Sequence, residues 1–144
     1  MGNLGRSQRI LFVVSLLFAA SEAKADQTVT NPADGSPEAV LLSAFYAAKD
    51  GDYSKYLKAV HPDHKETARQ RKERQKYEWT RFRTQYKWYL ITADPISYAV
   101  VRRQEDGKDG LRLFIRDQRT KDRLPVPVRM KRYGARWGIV VSSL

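Results

Sequence analysis

Hydrophobic positions along the chain change their period once. From Ser36 to Leu90 they recur every three or four residues, and from Ile96 to Val141 they alternate. Ser36 reads as an N-cap, with Pro37 in the first helical position and Glu38 in a first turn that favours negative charge. Val40, Leu41, Ala44, Phe45 and Ala48 then form the apolar stripe of a first helix, closed at Gly51. Asp52 caps a second, shorter helix with Tyr53, Tyr56, Leu57 and Val60 inward, ended by Pro62. Asp63 opens a third helix that runs to Leu90, about 25 residues or about 38 Å. Its apolar stripe is Trp79, Phe82, Tyr86 and Tyr89. Projected backward, that stripe meets Gln75, Lys72 and Ala68, so the first half has little to bury and is expected to project, bend or fray.

After Asp94-Pro95 the alternation predicts strands. Ile96 to Gln104 is the first, and Glu105 to Gly110 is its turn. In Leu111 to Asp117, Leu111, Leu113 and Ile115 face one way and Arg112, Phe114 and Arg116 the other. A turn at Gln118 to Asp122 leads into Arg123 to Tyr133, with Leu124, Val126, Val128 and Met130 inward. Pro125 and Pro127 on its other side mark an edge or irregular strand. Gly134 turns the chain into Arg136 to Ser142, with Trp137, Ile139 and Val141 inward. Helices followed by a meander of about four antiparallel strands place the chain in the α+β class. Residues 26–35 lack any period and hold Pro32 and Gly35, which predicts a flexible lead before a single domain over 36–144.

The first 25 residues read differently. Arg6 and Arg9 precede the apolar run Ile10 to Ala20, and Ala23-Lys24-Ala25 supplies small residues for cleavage after Ala25. A secretory signal peptide follows, and with it a secreted or periplasmic mature chain. An uncleaved anchor is the alternative, although the run is shorter than the roughly 20 residues a spanning helix needs. The mature chain therefore carries no expected transmembrane segment, and with no cysteine there is no lipid attachment, disulfide or thiolate chemistry. The net charge is +11, of which the leader (Arg6, Arg9 and Lys24 against Glu22) takes only two charges. A folded domain this basic is drawn to anionic surfaces such as lipid head groups or acidic polymers. Intracellular nucleic acid is a poor fit for a secreted chain.

SPEAVLLSAFYAAKDGDYSKYLKAVHPD, the long helix after it and the strands ending in VPVRMKRYGARWGIVV resemble the nuclear transport factor 2-like superfamily, a cystatin-like α+β group. The likeness is to its small secreted bacterial members, which are assigned to lumazine-binding or uncharacterised groups. The Phe45-Tyr46 pair, the Gly51-Asp52-Tyr53 step and the closing Gly134-x-x-Trp137-x-Ile139 strand carry it. The resemblance implies a curved sheet wrapped around a helix to form a cone with an internal pocket, and dimerisation through the outer sheet face. The superfamily holds isomerase-like and dehydratase-like enzymes as well as domains without catalysis, so it speaks to fold more than to activity.

Isomerase chemistry needs a carboxylate or histidine aimed into an apolar pocket. The inward faces hold neither. Glu105, Asp106, Asp109, Asp117 and Asp122 fall in turns, leaving Asp94 at the mouth of the sheet as the one acid to check. His61-Pro62-Asp63-His64 offers three potential metal ligands, but Pro62 breaks the helix between them and no further ligand is near in sequence, so no metal site is expected. Ser142 and Ser143 lack a histidine partner, no glycine-rich phosphate loop is present, and no cofactor is implied.

The leading reading is a non-catalytic binding or accessory domain. It would use either a cone pocket for a small apolar ligand, lined by Phe45, Trp79, Phe82, Met130 and Trp137, or a basic surface. That surface comprises Arg69, Arg71, Lys72, Arg74 and Lys76 on the third helix and Arg112, Arg116 and Arg129 on the outer sheet face. The alternatives are an isomerase-like or dehydratase-like enzyme with a small apolar substrate, and a dedicated binder of anionic surfaces or polymers. Phe114, among arginines on the outer face, marks a dimer or partner contact.

Overall fold

A computed structural model describes residues 25–62 and 67–144. The expected leader, up to residue 24, lies outside the described residues, as do the expected helix start at Asp63 and the neighbouring His64. Three helices pack on a six-stranded antiparallel open sheet: α1 (Pro37–Asp50), α2 (Tyr53–Ala59) and α3 (Ala68–Gln85) with β1 (Gln27–Val29), β2 (Leu90–Ala93), β3 (Ile96–Glu105), β4 (Gly110–Ile115), β5 (Val126–Tyr133) and β6 (Arg136–Ser142). No helix among the described residues is long and apolar enough to cross a membrane.

The first two helices start where their caps dictate. The Ser36 hydroxyl accepts from the Ala39 N–H, and the Asp52 carboxylate accepts from the Lys55 N–H. Between them Gly51 adopts the left-handed conformation (φ 67°) that lets its N–H reach back to the carbonyls of Ala47 and Ala48. In α3 the cap is Thr67, in a reciprocal capping box with Gln70. The helix also ends sooner than the apolar spacing predicts. After Gln85 the backbone tightens into a 3-10 turn, Tyr86–Tyr89, and Leu90 already belongs to β2. A spacing of three keeps Tyr86 and Tyr89 on one side in either helix type, so the side-chain pattern does not register the change.

The sheet has two more strands than the alternation predicts. Gln27–Val29, expected within a flexible lead, pairs with β3, and the Asp26 carboxylate behind it takes a two-pronged hydrogen bond from Arg116 at 2.8 and 3.1 Å. Leu90–Ala93, expected as the end of a helix and a loop, folds back on β3 through the turn at Asp94-Pro95. Tyr98 pairs with Val29 and with Leu90, so β1 and β2 lie on opposite edges of β3. At three and four residues, neither strand is long enough to display a period.

Three bulges interrupt the sheet, one at Ile91 in β2 and two that re-aim core side chains. One at Val101 lets Val100 face the core opposite Ile115, yet also puts Arg103 on the inner row opposite Leu113. The other lies in β6. Met130 pairs with Ile139 but Val128 pairs with Ser142, so the inward row passes from Ile139 to Ser142 and on to Leu144, which is fully buried. Val141, expected inward, pairs with Arg129 across the bulge. Leu124, also expected inward, precedes β5 and is 85% exposed.

Leu41, Phe45, Phe82, Tyr98, Leu113, Ile115 and Val128 form the centre of the core. Phe45 stacks on Phe82 with ring centres 5.6 Å apart and meets Tyr98 edge-on at 5.2 Å. Val60 bridges to Ile139, and the His61 N–H donates to the Ile139 carbonyl, tying the end of α2 to β6.

Candidate functional site

The two sides of α3 carry different kinds of charge. At about 100° per residue, Arg71, Arg74, Gln75, Glu78, Trp79 and Phe82 share one face, and each is half-buried or buried. Arg74 and Glu78 pair at 3.1 Å with side chains only 24% and 20% exposed. They lie close enough to Tyr56 on α2 to act on its hydroxyl, which burial pushes up, followed by the negative charge of Glu78. The charged first half of α3, expected to project with little to bury, thus turns Arg71 and Arg74 partly inward.

Lys72, Lys76, Arg83 and Lys87 occupy the other edge. All four are exposed; spacings of four and seven keep Lys72, Lys76 and Arg83 within a wedge of about 40° on α3, and Lys87 follows in the 3-10 turn. The three helical cations span about 16 Å along the axis. Arg69 joins it but pairs with Glu73 at 3.2 Å in full solvent, where such a pair contributes little. Arg83 and Lys87 belong to the apolar half of the stretch by sequence, and the alignment of Arg83 with Lys72 and Lys76 shows only on the helix.

The wedge ends at a groove. A cleft of about 290 Å³ lies between the end of α1 and β2, lined by Lys49, Tyr86, Lys87, Leu90, Ile91, Thr92 and Ala93. It shares Lys49, Tyr86 and Lys87 with a second cleft of about 250 Å³ that reaches Gly51 and Arg83. Lys49 donates to the Ala93 carbonyl at 2.9 Å and stands 3.8 Å from Asp94. The Asp94 side chain is 92% exposed, on the outside of the hairpin rather than in a cleft.

Of the proposed pocket residues, Phe45, Phe82 and Met130 are packed in the core. Trp79 is half-buried against Tyr53 and Tyr56, with ring centres 5.5 and 5.0 Å away. Trp137 lies at the sheet edge with the Arg132 guanidinium 4.8 Å above its ring. The clefts beside β1, beside β2 and at the β3–β4 turn are lined by other residues, Met130 apart.

The outer-face arginines have acidic neighbours. Arg116 is held by Asp26, while Arg112 and Arg129 share Asp106 at 3.3 and 3.2 Å. Desolvation acts upward on Asp106, but the hydrogen bond and charge of Arg112 and the charge of Arg129 outweigh it and hold its carboxyl low. Phe114 is only 9% exposed, with the Arg102 guanidinium 4.0 Å from its ring centre.

Two buried acids escape the sequence pattern. Glu38 is buried in the first turn of α1 and paired with Arg103, at the floor of a cleft of about 420 Å³ beside β1. Asp117, which falls in a turn by sequence, is 3% exposed. Hydrogen bonds from Arg119, foremost among its neighbours, hold its carboxyl below the usual range, and Arg119 also stacks on Trp88 at 3.6 Å. The Val101 bulge brings Arg103 to Glu38, and no alternation rule contains it. His61 is buried with its ring edge-on to Tyr133 at 5.1 Å, and Asp63 and His64 lie outside the described residues. No family model, no curated protein and no solved structure matches the chain.

Proposed function

We propose that the folded domain is a non-catalytic binding module of nuclear transport factor 2-like shape, secreted, that docks on an anionic surface through the exposed edge of α3. One observation carries this reading: Lys72, Lys76 and Arg83 align along about 16 Å of one edge of α3, and Lys87 continues the row in the 3-10 turn after it. The outer sheet face supports docking less, because its arginines already share Asp26 and Asp106. The non-catalytic part rests on the buried acids. An arginine at a carboxylate stabilises the ionised form, the reverse of the tuning a general base near neutral pH needs. Asp117 is held that way by Arg119, and Glu38 is already engaged by Arg103.

Retention on a heparin-type resin across a salt series tests the proposal. The parent should stay bound above about 0.15 M salt, where exposed long-range attractions are already screened. Combined reversal of Lys72, Lys76, Arg83 and Lys87 to glutamate should remove most of that retention. The logarithmic salt slope should flatten by roughly one for each cation lost. Equal retention of parent and reversed chain, with loss instead on reversing Arg112 and Arg129, would move the site to the sheet.

A further inference from the structure

The anionic surface, we infer, is a lipid bilayer bearing acidic head groups, with β2 as the edge that enters the head-group layer; this rests on the proposed anionic docking and names its partner. Among the described residues, three large hydrophobics are exposed: Tyr77, Ile91 and Leu124. Of these, Ile91 lies in a groove flanked by cations. It is 44% exposed in β2, with Leu90 beside it and Lys49 and Lys87 on the same cleft. Lysine suits this position, because its aliphatic stem can cover apolar wall while the ammonium stays among polar head groups. Arg83 continues the same rim, and Lys76 and Lys72 extend it along α3.

Charge complementarity selects the occupant. A soluble acidic polymer would use the α3 cations and leave Ile91 and the apolar wall of the groove in water. A bilayer with acidic lipids uses both sets at once, as an interfacial contact does. Each cation near such a surface raises partitioning roughly fivefold, so four together raise it roughly several hundredfold, whereas one half-exposed isoleucine adds on the order of tenfold. The charges therefore bring the domain to the surface, and Ile91 sets the side that faces it. Asp94 opposes this arrangement from its exposed place beside Lys49.

The chain has no cysteine, so Ile91→Cys provides a single labelling site for an environment-sensitive fluorophore in the full chain. The probe surface is phosphatidylcholine vesicles containing about one third phosphatidylglycerol, against phosphatidylcholine alone. The label at position 91 should shift to the blue and be quenched by a lipid-borne quencher on the acidic vesicles only. The same label at Gln104→Cys, on the outer sheet row, should stay water-like. Because the readout is local to position 91, the apolar N-terminal run does not mimic it. In unlabelled chains, Ile91→Asp should lower partitioning onto acidic vesicles at least tenfold, and Asp94→Asn should raise it severalfold. Lysine-dependent resin retention combined with a label at position 91 that stays in water on acidic vesicles would overturn the bilayer and leave the anionic docking in place. Loss of both would overturn the two together.

Discussion

Asp117 shows how this chain uses an acid. It is buried, and Arg119 meets it through both the Nε and a terminal guanidinium nitrogen, with Arg123 at 3.8 Å. Arg119 then lies across Trp88, so a single carboxylate fixes the aromatic end of the 3-10 turn against the loop after β4. Asp26 does similar work for β1 through Arg116. Both carboxyls are held below the usual range, each chiefly by hydrogen bonds from its arginine. The sign of the pH effect follows. As pH falls below about 4, the unfolded chain takes up these protons before the folded one does. The stability from these pairs is thus complete above the ordinary carboxylate pKa and lost as pH falls through the depressed values. Asp117→Asn should cost roughly 1–3 kcal/mol in urea unfolding near neutral pH, because one side of a buried charged hydrogen-bond set is removed. The gap to the parent should narrow toward pH 2. An equal gap at both pH values would mean that the carboxylate's charge contributes nothing. The burial of Asp117 is not legible in the sequence. A turn acid before an arginine looks the same whether it is wet or enclosed, and only the packing of Trp88 separates the two cases.

Most of the element plan follows from local rules. Ser36, Asp52 and Gly51 act as caps, and the expected stripe of α1 holds its buried Leu41, Ala44, Phe45 and Ala48; in α2 Tyr56 is buried as expected, but Tyr53 and Leu57 are only partly covered and Ala59 is buried in their place. What escapes is short or irregular: β1, β2, the 3-10 turn and three bulges. The bulge in β6 shows the physical reason. A period-two reading assumes unbroken pairing, so one extra residue reverses every later inward assignment, and Ser142 and Leu144 take the place expected for Val141. The junction of α2 with β6 is equally hidden in the sequence, although a glycine marks it. A Cβ on Gly138 would lie 2.6 Å from the His61 Cα and 2.8 Å from its nitrogen, both backbone atoms that cannot swing aside. Gly138→Ala must therefore push β6 from the α2 terminus and strain the His61 to Ile139 hydrogen bond. The expected loss is about 1–3 kcal/mol, the usual cost of overpacking, read from the urea midpoint. Hydrogen exchange should quicken at the His61 amide ahead of amides in β3 and β4. Unchanged stability would mean that α2 and β6 move freely relative to each other.

Across the whole molecule, 27 lysines and arginines face 16 acids, and the excess is unevenly distributed. On the sheet side, Asp26 and Asp106 stand among Arg112, Arg116 and Arg129. On the α3 edge, Glu73 stands among Arg69, Lys72, Lys76 and Arg83, with Lys87 in the turn beyond, and it already pairs with Arg69. Like charges held along one helix repel, so the folded state carries a self-repulsion that a bound polyanion relieves. A ligand that binds only the folded chain stabilises it by about 2.7 kcal/mol at 100 times its Kd. For a domain of this size that is a rise in Tm of roughly 8–12 °C. A short heparin fragment should therefore raise Tm at low ionic strength, and the rise should fade as salt approaches about 1 M, where the Debye length shrinks to about 3 Å. The chain with Lys72, Lys76, Arg83 and Lys87 reversed to glutamate separates specific docking from general charge neutralisation. If the α3 edge is the docking site, the reversed chain should lose most of the heparin shift while keeping a comparable Tm without heparin, since all four residues are exposed and none packs in the core. A reversed chain that still gains the full shift would place the anion elsewhere on this basic surface.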